Sequence, residues 1–151
     1  MWKILKWILV LLCMLQIFLF SADPADTSDE KSNRVIVWIA ERMVGHTLNE
    51  EERQEKIDEY VVLVRKGAHF CIYLLLGFLM SSLIKEYKEL DWKIMFLAFV
   101  LTFFYACSDE IHQLFVPGRS GNILDVGIDS LGAYFGVLFY YGYYRIRRKY
   151  E

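Results

Sequence analysis

Arg65, His69, Tyr73 and Gly77 recur at every fourth position, with Lys66 beside the first of them. On a helix that spacing gives one slowly rotating stripe, with the cation at one end and the phenol deeper. A second polar run, Asp109-Glu-Ile-His-Gln113, precedes Pro117-Gly-Arg119; the proline-glycine pair forces a turn and holds Arg119 in a short loop. Asp125 and Asp129 then stand one turn apart, and Gly132 and Gly136 continue the same face. Cations with acids set to orient them can grip a phosphate or carboxylate through paired hydrogen bonds. The candidate ligand-binding set is Arg65, Lys66, His69, Tyr73, Asp109, Glu110, Gln113, Arg119, Asp125 and Asp129. In this reading Arg119 and Arg65 hold the anion, Asp109 and Asp125 orient the arginines, and His69 or Gln113 adds a donor.

The competing chemistry is catalysis. Asp109, Glu110, His112, His69 and Asp125 are residue types that bind hard metals or act as general bases on a lipid-linked substrate. Asp109 and Glu110 are adjacent, however, and point about 100° apart on a helix, so they do not naturally share one metal. No serine or cysteine stands beside a histidine and an acid as a nucleophile, and there is no glycine-rich phosphate loop. The sequence therefore assigns no catalytic residue, metal ligand or cofactor, and a hydrolase or transferase remains the second reading. The plainest alternative is an ion-pair network that ties helix ends together, because ionisable groups at membrane depth are costly unless they pair or line a wet cavity.

The elements that position these residues are apolar blocks. The chain has 151 residues, of which 56% are apolar, 17% aromatic and 24% charged, and its length fits one domain spanning 1–151. The apolar residues gather into four blocks rather than spreading at helical period as a soluble core requires. Against the roughly 20 residues needed to cross a bilayer, the spans fall at about 4–22, 66–84, 92–108 and 126–144. The first admits only Lys6, which can snorkel; the third is short but carries Trp92 and Tyr105 as interfacial anchors. The expected fold is an all-α integral membrane protein, a four-helix transmembrane bundle with an amphipathic helical outer segment between spans one and two.

Lys3 and Lys6 before the first block mimic a signal peptide. Cleavage after Ala22 would place Phe20 where a small residue is wanted, so the block reads as a retained membrane helix. With the N-terminus inside, the cytoplasmic set has nine basic and four acidic side chains, net +5. The remainder has eight basic and fifteen acidic, net −7. Basic excess in the Lys85–Lys93 loop and the Arg145–Lys149 tail is the positive-inside pattern. It places both termini in the cytoplasm, with 23–64 and 109–125 outside a cell membrane. A total of −2 gives no basic footprint for nucleic acid. Cys13, Cys71 and Cys107 lie within spans at no metal-ligand spacing and read as small buried hydrophobes.

The outer segment, 23–64, is acidic and contains two helix-like stretches. Val35, Ile36, Ile39, Met43 and Val44, beside Trp38, suit a helix lying on the outer leaflet or packed over the bundle. Thr47-Leu-Asn-Glu50 reads as a capping box that starts a helix running through Glu51–Glu59 into the second span. Gly132 and Gly136 allow close approach of a helix, either of the same chain or of a second copy in a homo-oligomer.

Arg65-Lys-Gly-Ala-His69-Phe-Cys-Ile-Tyr73-Leu-Leu-Leu-Gly77, Ser108-Asp-Glu-Ile-His-Gln-Leu-Phe-Val-Pro-Gly-Arg119 and Asp125-Val-Gly-Ile-Asp129-Ser-Leu-Gly132 resemble the VanZ-like family of bacterial membrane proteins. The Phe18-Leu-Phe20-Ser21 ending of the first span is similar too, so the likeness covers most of the chain and is weakest over 23–60. Many members carry asparagine at the position of Asp129. The resemblance implies an accessory role in glycopeptide resistance of the teicoplanin type. Together with the residues, it points to binding or shielding of an anionic cell-envelope component, lipid-linked or of the wall, at an outward-facing polar pocket among membrane lipids.

Overall fold

The computed structural model describes residues 2–150 and contains five helices in chain order: α1 (Trp2–Ala22), α2 (Ala25–Val44), α3 (Glu50–Ile84), α4 (Trp92–Gln113) and α5 (Ile123–Tyr150). Four of them, α1, α3, α4 and α5, are long and apolar enough to cross a membrane. Most of each apolar surface points outward: Leu5, Leu12 and Leu15 on α1, Phe96 and Phe104 on α4, and Leu131 and Phe139 on α5 are all exposed. Apolar exteriors of this extent suit hydrocarbon rather than water, and the chain is a multi-pass, all-helical membrane protein.

α3 is the central element and packs against every other helix, most extensively against α5. The α3–α5 approach is close because glycines face backbone. A Cβ added at Gly132 would collide with the Phe70 carbonyl, one at Gly136 with the Leu74 carbonyl, and one at Gly77 with the Ala133 carbonyl. The Gly132–Gly136 pair is thus buried within the chain against α3 instead of being presented to a second copy. α1 closes the other side, placing Val10, Cys13 and Ile17 against Tyr73, Leu76, Leu83 and Ala106. Cys13 is buried as expected, but Cys71 is exposed and Cys107 only half-buried, because both fall on helix faces turned from the bundle.

The helix limits differ from the sequence reading in two places. The third span, expected to end near residue 108, continues as α4 through Asp109–Gln113, since a polar run buried against neighbouring helices keeps its backbone hydrogen bonds by staying helical. The capping box sits two residues beyond Thr47: the Asn49 side chain accepts from Glu52 N, and the Glu52 carboxylate accepts from Asn49 N, both at 2.9 Å. Asparagine is as good an N-cap as threonine or better. From there α3 runs unbroken for 35 residues, about 50 Å at 1.5 Å per residue, and overshoots a 30 Å hydrocarbon core. α2 folds back onto this overshoot, burying Ser32 and Ile36. Val35, Trp38, Ile39, Met43 and Val44 remain exposed. Arg53 on α3 donates to Glu41 near the end of α2 at 3.1 Å.

The two ends of the bundle are chemically distinct. At one, Lys6 pairs with Glu86 at 2.5 Å and Trp7 donates to the Tyr87 hydroxyl at 2.9 Å, and the Lys6 ammonium draws the Glu86 carboxyl below its ordinary value. At the other lies the turn after α4. Val116, Pro117, Gly118 and Arg119 close it through Arg119 N to Val116 O at 3.2 Å, with Gly118 at φ +74°. Proline followed by a left-handed glycine is the residue order of a type II turn. Gly118→Ala is expected to destabilise the protein by about 1–2 kcal/mol through left-handed strain. It also puts a Cβ 3.0 Å from that of Ala25. Thermal unfolding in detergent, compared with Gly127→Ala at an open position, checks it.

Candidate functional site

The stripe on α3, the last turn of α4, the first turns of α5 and the 114–122 loop meet at the Arg119 end. They surround a polar cavity of about 180 Å³ whose walls include Arg65, Lys66, His69, Glu110, Arg119 and Asp129. Gln113 and Asp125 line it as well. Of the ten candidate residues, eight reach this cavity; Tyr73 and Asp109 lie in the protein core behind it, 0% and 4% exposed.

Arg119 is built into the protein more deeply than its loop position suggests. Its Nε donates to Asp23 O at 3.0 Å, one terminal nitrogen donates to Phe20 O at 3.1 Å and the other to Gln113 Oε1 at 3.1 Å. Phe20 lies in the last turn of α1, where carbonyls lack helical partners and the helix dipole favours a cation. Three of the five guanidinium N–H donors are used on the protein, and two remain. Burial, reinforced by the nearby Arg65 charge, lowers Arg119 from its ordinary value; a guanidinium stays charged regardless.

Gln113 is the hub of the buried polar layer. Its amide nitrogen donates to Glu110 at 3.1 Å and reaches Asp109 and Ser21 at 3.4 Å. Ser21 Oγ donates to Asp109 Oδ2 at 2.8 Å. Glu110 also accepts from Asn122 N at 3.0 Å, and the Asn122 side chain accepts from Leu124 N where α5 begins. The carboxylate therefore ties α4 to the start of α5.

The expected division of labour among the charges is corrected by these contacts. Asp109 and Asp125 do not orient the arginines. Asp109 is held by Ser21 and Gln113, Asp125 pairs with Lys66 at 2.5 Å, and Arg65 pairs with Asp29 on α2 at 3.1 Å. Arg119 is aimed by two backbone carbonyls and an amide. The reason is reach: the Phe20 and Asp23 carbonyls at the end of α1 and the Asp29 carboxylate on α2 are the acceptors the two arginines meet, rather than the acids on α4 and α5. His112 leaves the candidate metal or base set, because its ring stacks on Phe18 at 4.5 Å between centroids and it does not line the cavity. Ser21, Asp29 and Asn122 were missed. Ser21 carried a signal in sequence only as the polar end of an apolar span, and Asp29 carried none above its acidic neighbours.

A second cavity, of about 290 Å³ and largely apolar, lies between α1, α2 and α3, with Ile17, Phe20, Val35, Val64 and Ile72 in its walls. Arg65, His69 and Arg119 border both spaces. The VanZ/LLP1 family model matches residues 6–146, nearly the entire chain. The chain belongs to the VanZ/LLP1 family. The match extends from α1 through α5 and so includes every residue of the polar cavity. No curated protein and no solved structure gives a significant match.

Proposed function

We propose that this VanZ/LLP1 member binds the anionic head of a lipid-linked cell-envelope component in an outward-facing pocket. By shielding that component, it contributes to tolerance of teicoplanin-type glycopeptides. The observation that carries the reading is the shared wall: a polar cavity edged by Arg65, Lys66 and Arg119 opens beside an apolar cavity that uses two of the same cations. An anion seated at the guanidiniums would leave its apolar tail against Phe20, Val35 and Ile72. This favours a lipid-linked phosphate over a wall polymer or a free peptide carboxylate. Two unspent donors on Arg119 match the bidentate recognition of phosphate oxygens. The outward orientation rests on the basic Lys85–Lys93 loop and Arg145–Lys149 tail, which belong to the opposite end of the bundle and by the positive-inside rule face the cytoplasm.

The decisive experiment has two arms. A drug-sensitive host expressing the wild type should gain tolerance to teicoplanin and not to vancomycin. Arg65→Ala and Lys66→Ala variants present at equal membrane levels should lose it. In detergent, a long-chain alkyl phosphate should bind at least about tenfold more tightly than inorganic phosphate, because each buried CH₂ adds about 0.8 kcal/mol. Unchanged tolerance in both variants, or equal affinity for the two phosphates, would reject the reading.

A further inference from the structure

Behind the polar cavity two carboxylates are buried without adequate compensation. Asp129 is 0% and Asp109 4% exposed. One ligand atom from each of His69, Asp109 and Asp129 lies within 4.8 Å of the other two. The contact of His69 Nδ1 with Asp129 Oδ1 is 3.6 Å, too long for a hydrogen bond. Neither Asp129 oxygen has a hydrogen-bond partner, and neither does the hydroxyl of Tyr73, which is itself 0% exposed. Asp109 has Ser21 and Gln113 for one oxygen, both neutral. The permanently charged neighbours are engaged elsewhere, Lys66 with Asp125, Arg65 with Asp29 and Arg119 with Gln113 and backbone carbonyls. Among the described residues this leaves His69 as the one group facing Asp129 that can carry a positive charge, and only when protonated. Two apposed buried charges with three idle polar atoms are an arrangement whose cost, several kcal/mol per ion, demands a counter-charge.

We propose that His69, Asp109 and Asp129 bind a divalent transition cation, with the Tyr73 hydroxyl as a fourth ligand or as partner to a metal-bound water. One imidazole and two carboxylates suit Zn²⁺ or Mn²⁺; Ca²⁺, which takes six to eight oxygens, is poorly served. Ligand atoms on such an ion sit about 3.0–3.5 Å apart at bond lengths near 2.1 Å, so the three side chains need close by only about an ångström, a change within rotamer adjustment. Three different helices, α3, α4 and α5, supply the ligands, and the cation would pin them together at the level where α1 adds Ser21 behind Asp109. His69 and Asp129 also line the polar cavity, which provides the entry path. The inference stands apart from anion binding, since metal content reads it with no anion present.

The test is elemental analysis of the full-length protein in detergent, stripped with chelator and then equilibrated separately with Zn²⁺, Mn²⁺ and Ca²⁺ before removal of free ion. About one equivalent of Zn²⁺ or Mn²⁺ per chain is expected, with at least about a tenfold loss of affinity in Asp129→Asn and Asp109→Asn, which keep the side-chain shape and remove the charge. Glu30→Gln, at an exposed α2 position, should bind as the wild type does. Thermal unfolding gives the second readout: chelator should lower the melting temperature of the wild type and leave that of Asp129→Asn unchanged. Absence of stoichiometric metal in the folded wild type overturns the proposal, as does equal metal in wild type and both Asn variants. A melting temperature insensitive to chelator but raised by Asp129→Asn would show instead that the two carboxylates share a proton.

Discussion

Gly136→Val is expected to prevent the bundle from assembling, with a loss of stability of more than about 3 kcal/mol, beyond the usual 1–3 kcal/mol of an overpacked core. A Cβ at this position runs into the Leu74 carbonyl and comes within 2.9 Å of Phe78 N, and both are main-chain atoms of a neighbouring helix. A side chain in the way could rotate aside; a helix backbone yields only by moving α3 as a whole. Such movement would also separate Gly132 from Phe70 and Gly77 from Ala133, and with them the stripe that carries Arg65, His69 and Tyr73. Membrane helices gain their association from close packing, having no hydrophobic drive between them, so the lost contact is not recovered elsewhere. Size-exclusion behaviour and thermal unfolding in detergent check it against Gly142→Ala, an open position on the same helix. That control should be neutral or more stable by up to about 1 kcal/mol. A wild-type melting curve for Gly136→Val would refute the close crossing.

Arg119→Lys is expected to be nearly as damaging as Arg119→Ala, each costing about 2–4 kcal/mol of stability and abolishing anion binding. The guanidinium bridges Phe20 and Asp23 at the end of α1 to Gln113 on α4, three acceptors that diverge in direction. An ammonium keeps the charge but has one nitrogen where the fork has three, so it can satisfy one branch and leaves the others unpaired. Gln113 would be the first to feel the loss, because its amide also organises Asp109 and Glu110. Melting temperature and alkyl phosphate affinity measured on the same preparations check it. A lysine variant with both at wild-type levels would show that charge alone is needed and that the fork is incidental.

The architecture and family were legible in the sequence because each rests on information local in the chain. A run of apolar residues declares a span whatever it packs against, so the presence of four helices long and apolar enough to cross a membrane was legible, as was the continuous run of α3 from its cap into the second span. The four-residue spacing of Arg65, His69, Tyr73 and Gly77 likewise fixed a common face before any partner was known, and Pro117-Gly118 fixed a turn through the backbone conformation those residues demand. The capping box was displaced by two residues because Asn49 and Thr47 are both competent caps, and the choice between them is settled by where the helix begins to pack.

Partners were the part that sequence could not reach. Asp29, Asp109, Asp125 and Asp129 are the same residue type, and their order along the chain says nothing of which lies beside Arg65, which beside Lys66, and which is left with neither. The answers depend on where α2 folds back over α3 and how closely the glycines let α5 approach. An ion pair or an uncompensated charge is decided within about 4 Å, at separations of 36 and 59 residues along the chain for Arg65–Asp29 and Lys66–Asp125. The types and faces of the site residues thus belong to the sequence. Their pairing, and the burial of Asp109 and Asp129 against His69, belong to the tertiary structure, because electrostatics acts through space and side-chain burial is a property of neighbours.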